Sequence, residues 1–134
     1  VERAEALHAS GEARLAQGDA AGAVDRFRAE LAVYEKARGA DSPSLAGTLV
    51  SLGRALLASG AVPDAVGTLE RAAKLDDKDA RARFRLAQAI WAAGDRARAL
   101  ALAVTARDDL AAMGSAGPKD LADARIWLAG KNAP

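Results

Sequence analysis

Apolar positions along this chain recur at spacings of three and four, and glycine and proline cut the pattern into segments. A first amphipathic stretch, Glu2 to Gln17, carries Ala6, Leu7, Ala13 and Leu15 and stops at Gly18. Asp19 is placed to cap a second helix whose apolar face holds Ala23, Val24, Phe27, Leu31 and Tyr34. That helix ends near "ARGADSP", where Ser42 is a good N-cap and Pro43 suits the first helical position of a third. The third helix carries Leu45, Leu49, Leu52 and Leu56 and runs to about Ser59. Gly60 ends it, and Pro63 opens a fourth that reaches about Leu75. After the capping turn "DDKD" comes a fifth, about Ala80 to Ala93, with Leu86 and Ile90. Gly94-Asp95 repeats the Gly18-Asp19 break, and a sixth helix runs to about Met113. "GSAGP" breaks it, and Pro118 starts a seventh that ends near Ala129. No segment alternates polar and apolar positions with β-branched enrichment, so the pattern predicts seven helices, antiparallel to their neighbours across short loops.

Three of these junctions share one skeleton. "GEARLAQGDAAGA" (11–23), "GRALLASGAVPDA" (53–65) and "AQAIWAAGDRARA" (87–99) place a small residue, a glycine and an alanine at the same offsets. The glycine ends one helix, and small residues on either side let two helix axes approach closely. A helical hairpin cannot bury its apolar face alone, so hairpins stack, and each repeats the same packing solution.

These positions resemble the tetratricopeptide repeat (TPR) family, whose period is 34 residues. Gly60 and Gly94 are 34 residues apart, whereas Gly18 and Gly60 are 42 apart. The longer interval, with the loop "GADSPSLA" (39–46), resembles repeats of the kinesin light chain type. Set in the family's register, the alanine of position 20 is Ala23, Ala65 and Ala99. The bulky residue of position 24 is Phe27 and Leu69, and then Ala103, a departure. The alanine of position 27 is Ala72 and Ala106, but Glu30 in the first repeat. The resemblance implies an all-α fold: a right-handed α-α superhelix of three helical hairpins (about 4–42, 43–79 and 80–117) with a C-terminal capping helix, 118–130. The seventh helix reads alternatively as half of a further repeat. As a cap, Leu121, Ile126 and Leu128 would be covered and Asp120, Asp123 and Arg125 wet. With no initiator Met and a helical pattern from the first residues, the expectation is a piece of a longer protein.

The family register also implies which residues face a concave groove. In the third repeat they are Arg81, Phe84, Arg85, Gln88, Trp91 and Ala92; in the second, Gly47, Val50, Ser51, Arg54, Leu57 and Ala58; in the first, Glu5, His8, Ala9, Glu12, Leu15 and Ala16. Arg81, Arg85 and Gln88 share one helix face, and two guanidiniums beside two aromatics suit a carboxylate-bearing, partly apolar peptide. Core packing remains the competing reading for Phe84 and Trp91, and a solvated face for Arg81, Arg83 and Arg85. The carboxylate clamp of some family members is incomplete here, since His8, Glu12 and Ser51 stand at its other positions.

Composition narrows the function. Hydrophobic residues make up 51%, enough for a core, but aromatics are only 4%, so the apolar content is mostly Ala, Leu and Val, suited to closely packed helices. Lys plus Arg is 19 against 18 for Asp plus Glu, a balance that argues against nucleic-acid or anionic-membrane partners. There is no cysteine and only one histidine, which excludes disulfides, thiolate metal sites and a histidine pair. His8 and Ser10, two residues apart on one helix, point to different faces and form no nucleophile–base pair. Nor is there a phosphate-binding G-x-x-x-x-G-K-[ST] loop. The expectation is a cytoplasmic, non-enzymatic interaction module, with no cofactor and no metal. It binds a protein or peptide, an acidic one on the charges above, at Arg54, Arg81, Phe84, Arg85, Gln88, Trp91, His8 and Glu12. The alternative is a structural segment that self-associates through exposed repeat ends. Long-repeat, Ala- and Arg-rich arrays resemble those attached to large bacterial signalling proteins.

Overall fold

A computed structural model describes residues 2–114 and 118–131. The centre of the "GSAGP" breaker and the terminal "NAP" lie outside those residues, as does Val1. Among the described residues seven α-helices follow one another: α1 (Glu2–Ala16), α2 (Ala20–Arg38), α3 (Ala46–Ala58), α4 (Val62–Leu75), α5 (Ala80–Ala92), α6 (Arg96–Ala112) and α7 (Pro118–Gly130). Each consecutive pair packs together, and α3 also packs on α5, so the first helices of the second and third hairpins lie side by side. The result is a helical solenoid. Among the described residues no helix is long and apolar enough to cross a membrane.

The turns follow from local chemistry. Gly18, Gly60 and Gly94 close the three hairpins at φ of 82°, 88° and 101°, a region that disfavours any side chain. Asp19, Asp79 and Asp95 cap α2, α5 and α6 by accepting from the backbone N–H of Gly22, Arg81 and Arg98. The Ser42-Pro43 start is displaced: Ser42 caps a single 3-10 turn, Pro43–Leu45, and α3 begins only at Ala46. Leu45, fully buried, anchors that turn.

Inside each hairpin the small residue of the first helix faces the residue sixteen positions on. A β-carbon on Gly11 would lie 2.6 Å from Phe27 Cε1, and one on Gly53 would lie 2.6 Å from Leu69 Cδ2. In the third hairpin both partners are small, and Ala87, Ala103 and Leu128 form one cluster. Ala103 is therefore matched to Ala87, and Leu128 of α7 joins the same buried cluster.

The cap sits differently from the sequence expectation. Leu121, Ala124, Trp127 and Leu128 face the sixth and fifth helices, but Ile126 is 72% exposed. At 100° per residue Ile126 lies almost opposite Ala124, so it cannot share the covered stripe. Asp120 and Asp123 are not simply wet either; both reach Arg85 of α5.

Candidate functional site

Three adjoining depressions lie along α1, α3, α5 and α7, with α2 at one end. The central one, about 180 Å³, is lined by Gly47, Val50, Ser51 and Arg54 of α3, by Asp79, Arg81 and Arg85 at the start of α5, and by Asp120 of α7. A second, about 330 Å³, shares Arg54 and Arg85 and adds Leu15, Leu57, Ala58 and Gln88. A third, about 340 Å³, shares Gly47 and is lined by Glu5 and His8 of α1, Glu30, Tyr34 and Arg38 of α2, and Ser44 and Thr48.

The arginines are held by carboxylates of their own chain. Arg81 Nε lies 3.1 Å from Asp79 Oδ1, whose carboxylate also caps α5. Hydrogen bonding to Asp79, with its charge, raises the Arg81 pKa further above its usual value. Arg85 donates to Gln88 Oε1 at 3.0 Å and to Asp123 Oδ2 at 3.2 Å, and lies 3.7 Å from Asp120 Oδ1. Burial, and then the facing Arg54 guanidinium, push the Arg85 pKa down despite those two aspartates. It stays charged at any ordinary pH. Arg54 pairs with Glu12 across the α1–α3 seam at 3.6 Å. Both side chains are about one-third exposed, so that pair exchanges readily with solvent or ligand.

His8 stands at the α1 wall. Its Nδ1–H donates to Glu30 Oε2 at 3.1 Å, because a carboxylate only accepts, and its Nε2 lies 3.9 Å from Glu12 Oε1. Its ring also tilts against Phe27, with centroids 5.7 Å apart.

Two residues expected in the groove do not line it. Phe84 is 0% exposed, enclosed by Ala80, Ala106, Leu110 and Ala124, and has no surface to offer a ligand. Trp91 is half-buried, edge-on to Trp127 with centroids 5.6 Å apart, and covered by Arg96 and Lys131 at 5.1 Å and 5.0 Å. The cause is α7, which presents Trp127 to both aromatics. Arg83 is not a free cation: its Nη1 lies 2.6 Å from Asp109 Oδ2 on α6.

Sequence reasoning missed the contribution of the second helix, Glu30, Tyr34 and Arg38, and the aspartates of α7. For Glu30 the signal was present, since it stands where the other hairpins carry Ala72 and Ala106. Among the described residues no group of three or more His, Asp or Glu side chains is arranged to hold a metal ion.

A family model described as Tetratricopeptide repeat matches residues 2–78. No curated protein sequence matches the chain. Among solved structures, the crystal structure of the Sgt2 TPR domain from Aspergillus fumigatus is similar with a TM-score of 0.72 at 20% identity, over 100% of this chain and 86% of that one. At that identity the likeness is one of fold.

Proposed function

Since the chain belongs to the tetratricopeptide repeat family, we propose that it is a protein–protein interaction module whose concave face takes up a peptide or extended protein segment. The observation that carries this reading is the meeting of Arg54, Arg81 and Arg85, with Ser51, around one depression. Arg54 and Arg85 face each other there as like charges. A carboxylate between them relieves that repulsion and accepts from both forks, so an acidic segment fits best. Leu15, Leu57 and Ala58 in the adjoining depression suit an apolar side chain of the same segment. His8 and Glu12 form the far wall, while Phe84 and Trp91 serve the cap. The reading assigns the chain no catalytic step. The first hairpin, with its 42-residue interval, is read as a long repeat of the kinesin light chain type.

Self-association is the second reading, favoured by the 72% exposure of Ile126 on the outer face of α7. Sedimentation equilibrium on Ile126→Asp separates the two, since only self-association responds to that change.

The groove reading is tested by fluorescence anisotropy with a labelled pool of peptides ending in acidic residues. Arg54→Gln with Arg81→Gln neutralises two exposed guanidiniums without touching the Arg85 pairs that hold α7. Tenfold weaker capture is expected; capture unchanged by the double substitution sinks the reading.

A further inference from the structure

Each hairpin carries, twelve residues beyond its turn glycine, a position buried between its helices. In the second and third hairpins that position is Ala72 and Ala106, both 0% exposed. In the first it is Glu30, 3% exposed. Burying a carboxylate is unfavourable unless it is paired, and the equivalent positions show that the fold itself is satisfied by alanine.

The pairing is thin. Thr48 Oγ1 donates to Glu30 Oε1 at 3.1 Å, and His8 donates to the other oxygen. Among the described residues no lysine or arginine pairs with it; its one basic neighbour within 4 Å is the His8 ring. Yet the carboxylate is not sealed in a dry core. It forms part of the wall of the 340 Å³ depression on the concave face, with Glu5 as a second carboxylate at the rim.

The same depression has nothing for an anion on its histidine, because both ring nitrogens of His8 face carboxylates. It does hold an aromatic face. Arg38, itself in the wall of this depression, lies over the Tyr34 ring with its guanidinium carbon 4.5 Å from the centroid, so the ring suits a planar cation and an incoming one competes with Arg38 for that face.

From the buried Glu30, the open cavity beside it and the cation-accepting ring, we infer that this depression is a binding subsite for a basic side chain, arginine or lysine, of a partner protein. The incoming cation supplies Glu30 with the full charge partner that the chain itself withholds. Its position beside the arginine depression, joined through Gly47, sets the Glu5 and Glu30 carboxylates of α1 and α2 next to the arginines of α3 and α5. The subsite uses none of the three arginines invoked above, so either assignment can fail alone.

The experiment is an amide NMR titration of the intact chain with two capped tripeptides, glycine-arginine-glycine and glycine-citrulline-glycine. Citrulline keeps the shape of arginine and removes the charge. The arginine peptide is expected to shift the Gly47, Thr48 and Tyr34 resonances, and the citrulline peptide to leave them in place. Glu30→Ala copies the other two hairpins and should keep the helical spectrum while losing the response. Glu30→Gln keeps the shape and one acceptor oxygen while removing the charge, and should weaken the response at least tenfold. Arg54→Gln with Arg81→Gln should leave it intact. No shift with the arginine peptide, equal shifts with citrulline, or an undiminished response in the Glu30 variants overturns the assignment.

Discussion

Gly53 of α3 lies directly against the Leu69 side chain of α4, so that a β-carbon at Gly53 would come within 2.6 Å of Leu69 Cδ2. The Gly11–Phe27 pair does the same in the first hairpin, and Ala87–Ala103 is the version with both partners small. Size is conserved across the pair rather than at either position. Gly53→Ala alone overpacks this seam and should lower stability by about 1–3 kcal/mol. Leu69→Ala alone should cost about 2–5 kcal/mol through the cavity it leaves. The double variant recreates the Ala87–Ala103 pair and should lose clearly less than the sum. Urea denaturation of the four proteins measures that coupling, and strictly additive losses would show that the contact does not set the hairpin geometry.

That pairing also shows what the sequence could and could not reveal. The helices and their turn glycines were legible because periodicity and capping are local. That Gly47, Val50, Ser51, Arg54, Arg81 and Arg85 come together around one depression is consistent with the repeat register. The burial of Phe84 and Trp91 was not legible, because α7 decides it through Trp127, and nothing local to α5 announces that contact. Ala103 read as a departure because its compensation lies in Ala87 and Leu128. Ile126 read as covered because it is apolar, although its angular position opposite Ala124 put it outside. Glu30 stood out as an irregular letter, but its meaning needed the geometry of three helices.

Trp127 touches all three apolar clusters and both aromatics of α5. Trp127→Ala should therefore cost about 3 kcal/mol or more and undock α7. The near-ultraviolet circular dichroism of the Trp91–Trp127 pair should collapse beyond the loss of one chromophore. An unchanged denaturation midpoint would mean that α7 is not held by this ring.

Asp19 supplies a pH dependence. The Gly22 N–H and then Arg14 hold its carboxyl below the usual carboxylate range. A group with a depressed folded pKa contributes fully above its unfolded pKa and loses that contribution as pH falls through the folded value. Asp19→Ala should thus melt lower than the parent at neutral pH, and the gap should close in acid below the usual carboxylate range. A gap that stays constant down to strong acid would assign the effect to something other than this charge.

Arg85 and its neighbours should respond differently to substitution. Arg85→Glu sets a third carboxylate beside Asp120 and Asp123 and should destabilise the cap by about 3 kcal/mol or more. Arg54→Gln and Arg81→Gln, whose side chains are 33% and 48% exposed, should each shift stability by less than about 1 kcal/mol. Thermal melts of the three variants decide this, and equal losses would mean that Arg85 is not the cap's electrostatic anchor.

The central claim is that the concave face takes up a protein segment at its arginines. Amide chemical-shift mapping of the intact chain, titrated with a pool of peptides ending in acidic residues, tests it most directly. Shifts confined to Ser51, Arg54, Arg81, Arg85 and Gln88 and their concave neighbours are the predicted result. A pool that leaves those resonances unmoved, or that moves only the outer faces of α4, α6 and α7, contradicts it.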